Sequence, residues 1–172
     1  MNTLKKFLIL SLIFLSASSL LIGEIYTVSD NSFSVHYNIE VPNQFKKDLD
    51  TEGSKGCYFF DEESRAQVSS FYEKLSSETT LDEYVHLTLG GLSEVVQLKN
   101  ITIKKVIINE RVWKKINLIG IPIVEANEWQ VEQELYITTH QNVAYTIHGI
   151  SFKTDPKILK NIVKSFTIVE NE

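Results

Sequence analysis

The sequence predicts an α+β fold, in which two main helices flank an antiparallel β-sheet of about 6–8 strands. Several segments alternate apolar and polar residues with the period of two that half-buried strands show. Two other segments, beginning at Thr80 and at Pro156, repeat apolar residues at helical spacing behind a capping residue. Hydrophobic residues make up 43% of the 172 residues, with 7 Gly and 3 Pro, which excludes collagen-like and largely disordered chains.

The first 19 residues have the layout of a secretory signal peptide. Lys5 and Lys6 form a short basic stretch, an apolar run follows from Phe7 to Leu15, and small residues lead to Ser19. We expect cleavage after Ser19, or as late as Gly23, which leaves a single domain over 24–172. The protein would then be exported and soluble in the periplasm or outside the cell.

The alternative for this leader is an uncleaved membrane anchor. Its apolar stretch from Phe7 to Ile22 has 16 residues, fewer than the roughly 20 that a spanning helix needs. A lipid-modified amino terminus would need a cysteine directly after that stretch, and the single cysteine is Cys57. Membrane contact is therefore expected through an uncleaved leader if at all.

Strands are predicted for the first half of the domain. The segment Ser32–Asn38 alternates, with Phe33, Val35 and Tyr37 on one side, and it ends near Pro42, which has no amide proton to donate. Other strands are expected at Ile25–Ser29, Cys57–Phe60 and Ala66–Tyr72, with a loop at Asp48–Gly56 and a turn at Asp61–Arg65.

The clearest helix begins after Thr80, because Thr80 and Glu83 have the spacing of a capping box. Gly90 and Gly91 are expected to weaken this helix or to end it early. One apolar stripe, expected to face a sheet, consists of Leu81, Tyr84, Val85, Leu92 and Val96.

Two hairpins follow this helix. The segments Ile101–Ile108 and Val112–Ile119 are joined by the short connection Asn109-Glu110-Arg111, and Gly120–Asn127 is expected to be a loop. The longer pair is Trp129–His140 and Val143–Phe152, joined by Gln141-Asn142. A two-residue turn there places His140 opposite Val143, and His148 opposite Leu135.

The chain closes with a second helix and a last strand. Asp155 is the expected cap, Pro156 the first helical residue, and Phe166–Val169 the strand. The buried face of this helix is predicted to hold Ile158, Leu159, Ile162 and Val163.

The charge of the chain disfavours nucleic acid as a partner. The net charge is −5 and becomes −7 without Lys5 and Lys6, with 15 basic against 22 acidic side chains, whereas phosphate contacts need a clustered positive surface. A local basic run is either an exposed face opposite Glu125, Glu128, Glu132 and Glu134 or an interaction patch. We take as the candidate patch Lys104, Lys105, Arg111, Lys114 and Lys115.

No catalytic or cofactor motif stands out, so the sequence predicts no enzyme, no cofactor and no metal site. It contains neither a nucleophile elbow nor a phosphate-binding loop, and it has no His-Glu-x-x-His. His140 and His148 are expected on opposite faces of their hairpin, so one ion cannot bridge them. His36 is expected on the polar side of its strand and His86 beside the stripe of its helix.

The remaining reactive side chains also have structural interpretations. Cys57 precedes three aromatic residues and is expected to be a buried, inert thiol, with an exposed pairing thiol as the alternative. Asp61-Glu62-Glu63 is expected to be an exposed turn, or less well a calcium-attracting cluster. Trp113 and Trp129 are expected to be core or interface anchors rather than a sugar platform.

Several of these segments, in this order, resemble the PsbP-like family. The matching parts include Val41–Phe45, Val106–Asn109, Val143–Ile147 and Ile162–Ile168, although Phe45 stands where the family often has Trp, and Glu110 where a turn Gly is typical. The resemblance implies an α/β/α sandwich, shared with the Ran-binding nuclear import factors. Family members serve as extrinsic photosystem subunits, exported proteins of unknown role or chaperone-like secretion adaptors, and they share no catalytic site.

Three functional hypotheses follow. The leading one is an exported, non-enzymatic PsbP-like domain that binds a protein or another envelope component, as an accessory or chaperone-like module. The second is a carrier that holds a small apolar ligand in a pocket between helix Leu81–Val96 and the sheet. The third is a hydrolase or metalloenzyme.

Overall fold

In a computed structural model, the described residues form two antiparallel sheets and two helices. The structure describes residues 23–30, 32, 35–48, 55–123, 130–151 and 156–169, so the predicted leader, Trp129 and the Asp155 cap lie outside the described residues. The strands are β1 (Gly23–Asp30), β2 (Val35–Pro42), β3 (Lys46–Lys47), β4 (Gly56–Asp61), β5 (Ala66–Lys74), β6 (Val96–Ile108), β7 (Arg111–Pro122), β8 (Val131–His140), β9 (Val143–Ile150) and β10 (Thr167–Ile168), and the helices are α1 (Leu81–Val95) and α2 (Pro156–Ser165).

The smaller sheet has the order β1-β2-β10 and the larger one the order β3-β4-β5-β9-β8-β7-β6. This architecture confirms the predicted α+β class. The described residues form ten strands where about 6–8 were expected, and the strand with no predicted counterpart is β3, whose two residues carry too little sequence pattern to be recognised.

The main core lies between the two sheets and is closed by α2. We call the face of the seven-stranded sheet that meets this core the inner face. Tyr37 and Ile39 of β2 are fully buried against it, as are Leu159 and Val163 of α2. Aromatic rings dominate the contacts, with Phe166 lying 5.2 Å from Tyr37 between ring centroids. The alternation predicted for β2 and the buried stripe predicted for α2 therefore form one core.

Helix α1 begins as predicted. Thr80 caps it: its hydroxyl accepts from the backbone N–H of Glu83, whose carboxylate accepts from the backbone N–H of Thr80. Of the two alternatives for Gly90 and Gly91, the early end of the helix is wrong, since α1 continues to Val95. Packing on the sheet stabilises α1 beyond the local helix propensity of its residues.

Both hairpins have two-residue turns. Asn109 and Glu110 take φ values of 50° and 61°, and Gln141 and Asn142 take 48° and 60°, the left-handed pair that a tight hairpin needs. The predicted pairs His140 with Val143, and Leu135 with His148, are confirmed.

The first of these hairpins is longer than predicted. Strand β6 starts at Val96 rather than at Ile101, Arg111 belongs to β7 rather than to the turn, and β7 continues to Pro122 where a loop was expected. Pairing between the two strands extends them past the local signals at either end. Gly56 likewise belongs to β4, and β10 is shorter than the predicted Phe166–Val169.

Candidate binding surface

The other face of the seven-stranded sheet, which we call the outer face, is covered by α1 over its middle part. Tyr84 and Val85 of α1 pack on Ile116, Leu135 and other aliphatic side chains of β7, β8 and β9. Tyr84 also donates a hydrogen bond to Glu73 at the end of β5, over 3.1 Å. The predicted stripe therefore does face a sheet, and the outer face is left uncovered on both sides of α1.

On one side of α1 the outer face forms an aromatic cleft of about 600 Å³. Alternation along β4 and β5 directs Tyr58, Phe60 and Phe71 to this face, and Ile150 of β9 joins them. Tyr58 and Phe60 are 40% and 37% exposed. We call this set, together with His148, the aromatic cleft. Lys46, Lys47 and Asp48 also line it.

His148 is the titratable side chain in the floor of the aromatic cleft. Its Nε2 lies 2.9 Å from Oε1 of Gln133, on the neighbouring β8. A carbonyl oxygen can accept but not donate, so Nε2 carries the proton and Nδ1 is left as an acceptor. Burial lowers the pKa of His148 to about 4, because it disfavours the charged imidazolium. The ring is therefore neutral at pH 7.

This cleft does not lie where the ligand pocket was predicted. The space between α1 and the sheet is occupied by side chains, among them the buried Val85, Leu118 and Ile137. The cleft is instead formed beside α1, where β4 and β5 extend the sheet beyond the helix.

On the other side of α1 lies a second uncovered region, which we call the open flank. It consists of Ile103 and Ile107 of β6 and Val112 of β7, whose side chains are 42%, 71% and 38% exposed. Ile107 and Val112 are direct cross-strand partners, and Ile103 pairs with the buried Ile116 at the edge of the α1 footprint. On this face the Lys105–Lys114 pair lies between Ile103 and the Ile107–Val112 pair, and α1 leaves all three apolar side chains exposed.

The five residues of the predicted basic patch are divided between the two faces. Lys104 pairs with Lys115, and Lys105 pairs with Lys114, so successive lysines alternate in direction. Lys105 and Lys114 belong to the outer face. The inner-face set is Lys104, Lys115 and Arg111. Binding of a partner by the five residues of this patch stays a prediction.

Two of these lysines have carboxylate partners. Lys114 Nζ lies 2.5 Å from Oδ1 of Asp82 in the first turn of α1. Lys115 Nζ lies 2.8 Å from Oε2 of Glu134 on β8 and 5.3 Å from the ring centroid of Tyr136. The Lys115 pair confirms that a basic strand faces an acidic neighbour, while Glu125 and Glu128 lie outside the described residues.

The other singled-out side chains lie apart from one another. His140 is on the inner face and His148 on the outer face, as predicted. His36 Nδ1 lies 2.8 Å from Oγ of Ser29 in the smaller sheet, and His86 is exposed on α1. Among the described residues, no group of three His, Cys, Asp or Glu could hold a metal ion.

Cys57 and Trp113 belong to the core, as their sequence context predicted. Cys57 is 5% exposed, and burial raises the pKa of its thiol. Trp113 is 1% exposed and lies 5.4 Å from Phe166 between ring centroids.

The expectation of an exposed turn at Asp61-Glu62-Glu63 is wrong for its first residue. Asp61 is 6% exposed and ends β4. Its carboxylate accepts from the hydroxyl of Ser64 at 2.5 Å, the backbone N–H of Glu63 at 3.1 Å and the side-chain amide of Gln44 at 3.3 Å. These donors lower the pKa of Asp61, the Ser64 hydroxyl most.

Sequence reasoning placed the strands of the aromatic cleft but missed the cleft itself. The available signal was the run Cys57-Tyr58-Phe59-Phe60, in which aromatic residues occupy both parities of a strand. An edge region with one face in the core must then expose the other aromatic pair. Strand order decides that Phe71 and Ile150 join Tyr58 and Phe60, and no local pattern reveals strand order.

Comparison with known proteins identifies the fold. The sequence matches no family model and no curated protein. Solved structures do match: cyanobacterial PsbP (CyanoP) from Synechocystis has 15% sequence identity and a TM-score of 0.61 over 88% of this chain and 96% of that one. The chain therefore has the PsbP-like fold that the sequence resemblance predicted.

Two further structures share this fold. A crystal structure from Bacteroides thetaiotaomicron is 12% identical with a TM-score of 0.60, covering 87% of this chain and 49% of that one. LpqN of Mycobacterium tuberculosis, described as involved in cell envelope biogenesis, is 10% identical with a TM-score of 0.54 over 86% and 92% of the two chains. In the part of the chain described, no helix is long and apolar enough to cross a bilayer.

Proposed function

We propose that this chain is an exported, non-enzymatic accessory module of PsbP-like fold that binds another protein through the open flank. The observation that carries the proposal is the exposure on the outer face of the cross-strand partners Ile107 and Val112, with the exposed Ile103 on the other side of the Lys105–Lys114 pair. Several exposed apolar side chains close together in a globular protein mark an interaction site, because leaving them in water is unfavourable.

Export rests on the leader layout of residues 1–19 and is consistent with the fold likeness to an envelope-associated protein. Strand β1 begins at Gly23 and pairs with Pro42 from its first residue. Cleavage after Ser19 would leave the whole of β1 in the mature chain. Mass spectrometry of the protein purified from its own host tests this: a mature mass beginning at Leu20 supports export, and an intact Met1 in the cytoplasm contradicts it.

Partner binding is tested by affinity capture from a detergent extract of the host envelope. Three baits are compared: the wild-type chain, the double variant I103S/I107S, and the control L87S, which removes an equally exposed aliphatic residue of α1. We expect wild type and L87S to retain the same partner. The affinity of the double variant for that partner should fall about tenfold, which corresponds to roughly 1.4 kcal/mol of lost apolar burial. Equal recovery on all three baits would refute the role of the open flank.

A carrier of a small apolar ligand is the second candidate, and the aromatic cleft favours it. Its volume of about 600 Å³ lies within the range of roughly 300–1,000 Å³ typical of ligand sites. Aromatic side chains supply apolar area, while Gln67, Ser69 and His148 supply polar groups that could orient a ligand.

The carrier function is tested with the fluorescent probe N-phenyl-1-naphthylamine. We expect saturable fluorescence enhancement with the wild-type chain and with I103S/I107S, because those residues lie on the far side of α1 from the cleft. The variant Y58S/F60S should weaken binding about tenfold, since two half-exposed rings no longer contact the probe. No saturable signal, or equal signals from both double variants, would end this candidate.

A further inference from the structure

Among the described residues, strand β6 is an open edge of the seven-stranded sheet. It is the last strand in the order β3-β4-β5-β9-β8-β7-β6 and has β7 on one side. Each of its 13 residues is exposed or half-buried, and it is about twice as long as a typical strand. Such an edge presents a row of backbone N–H and C=O groups to whatever adds beside it.

The side chains of β6 give this edge a positive charge. It carries Lys99, Lys104 and Lys105 and no acidic residue, in a chain whose net charge is −5. Within the described residues, neither Lys104 nor Lys105 forms an ion pair of the kind that neutralises Lys114 and Lys115. Lysines on an edge disfavour pairing with another basic strand and favour an acidic one.

A second copy of the chain fits this edge poorly. Two β6 strands related by a two-fold axis would bring together six ammonium groups and no carboxylate. In the registers centred on Lys104 or Lys105, each central lysine would face its own copy directly, and like charges opposite one another destabilise a strand pair. The occupant that the charges favour is therefore a different, acidic chain.

We infer that β6 is a docking strand for an extended acidic segment of a partner protein, which adds to the seven-stranded sheet as an eighth strand. This inference rests on the proposed protein-binding function and assigns its mode, β-strand addition. Apolar side chains of the incoming strand would lie beside Ile103 and Ile107 on the outer face. Carboxylates would lie beside Lys105 on that face and Lys104 on the inner one.

The test uses a random dodecapeptide library displayed on phage, selected on the wild-type mature chain. Selections on K104E/K105E and on the control K160E/K164E, which makes the same charge change on exposed positions of α2, run in parallel. We expect peptides that alternate acidic and apolar residues to be enriched on wild type and on K160E/K164E. Their affinity should fall at least about tenfold on K104E/K105E, a loss of roughly 1.4 kcal/mol, and it should also fall as salt screens the charges.

Amide hydrogen exchange of the wild-type chain with an enriched synthetic peptide locates the site. We expect slower exchange in residues 99–108, because newly paired edge amides are protected. Enrichment without acidic residues, equal affinity for K104E/K105E, protection confined to the aromatic cleft, or β6 amides protected in a peptide-free dimer would each overturn the inference. If the peptides fail while capture still depends on Ile103 and Ile107, the proposed function stands and strand addition is wrong.

Discussion

At the scale of single residues, the informative side chains are the polar ones that the fold has buried. Asp61 and His148 both lose water on folding, yet each keeps hydrogen-bond partners. The donors around Asp61 favour its charged form and burial of His148 favours its neutral form, and both environments lower the pKa. Both groups therefore make stability depend on pH.

Replacing Asp61 with Ala should lower the free energy of unfolding at pH 7 by about 1 kcal/mol, because Ser64 and Gln44 lose their common acceptor. The pKa of Asp61 is lowered in the folded chain, so its contribution is present above the ordinary value of 3.8 and is lost as pH falls through the folded value. Urea unfolding of wild type, D61A and the isosteric control D61N at pH 7 and pH 3 measures this. The prediction would be contradicted if the free energies of unfolding of wild type and D61A differed by the same amount at pH 7 and at pH 3.

His148 should make the protein less stable as pH falls from 6.5 towards 4. The folded pKa of about 4 lies below the ordinary 6.5, so the unfolded chain binds the proton first. Across this window the free energy of unfolding should drop by about 1–3 kcal/mol more in wild type than in H148Q. H86Q, which removes an exposed imidazole, should behave as wild type does. An NMR titration that placed the His148 pKa near 6.5 would refute the assignment.

Residue burial was predictable where apolar neighbours surround a side chain in sequence, as for Cys57 and Trp113. It was not predictable for Asp61. Its acidic neighbours suggested an exposed turn, while the contact that buries it comes from Gln44, 17 positions earlier. A local pattern carries no record of such a contact.

At the scale of elements, the strongest structure-determining signals are caps and turns. The Thr80–Glu83 box fixes where α1 starts, and the two-residue turns fix the register of both hairpins. Within the β6–β7 turn, the side-chain amide of Asn109 donates to the backbone carbonyl of Lys164 over 2.6 Å. The turn is thereby joined to the end of α2.

Removing the helix cap should destabilise α1. T80A deletes the hydroxyl that accepts from the Glu83 backbone N–H and should lower the free energy of unfolding by about 1 kcal/mol. T80S keeps a capping hydroxyl and should stay within a few tenths of a kcal/mol of wild type. Urea unfolding followed by circular dichroism measures both. If T80A and T80S proved equally stable, the cap would contribute nothing.

Glycine at position 110 should stabilise the first hairpin. Glu110 has a φ of 61°, a left-handed conformation that costs a residue with a Cβ about 1 kcal/mol relative to Gly. E110G should therefore raise the free energy of unfolding by about that amount, whereas the control E110A removes the charge but keeps the strain. Thermal unfolding in which E110A gained as much as E110G would show that charge, not conformation, was responsible.

Element boundaries were less predictable than element identities. Val96–Leu98 of β6 and Gly120–Pro122 of β7 pair with each other across the sheet. Helix α1 likewise continues past Gly90 and Gly91 through packing. Each extension depends on residues distant in sequence.

At the scale of the whole molecule, function depends on which surface the helices leave uncovered. The α+β class, the α1 stripe and the resemblance to the PsbP-like fold could be predicted from the sequence. The position of α1 over the middle of the outer face could not, because it depends on strand order. That position separates the aromatic cleft from the open flank, and strand order leaves β6 at an edge of the sheet in the part of the chain described.

The most direct test of this account is photo-crosslinking in the living host, with benzoylphenylalanine placed singly at position 107, 58 or 160. These positions sample the open flank, the aromatic cleft and the exposed surface of α2. The account predicts a discrete adduct with one partner protein from position 107 and none from position 160. Adducts from position 160 with none from position 107 would contradict it.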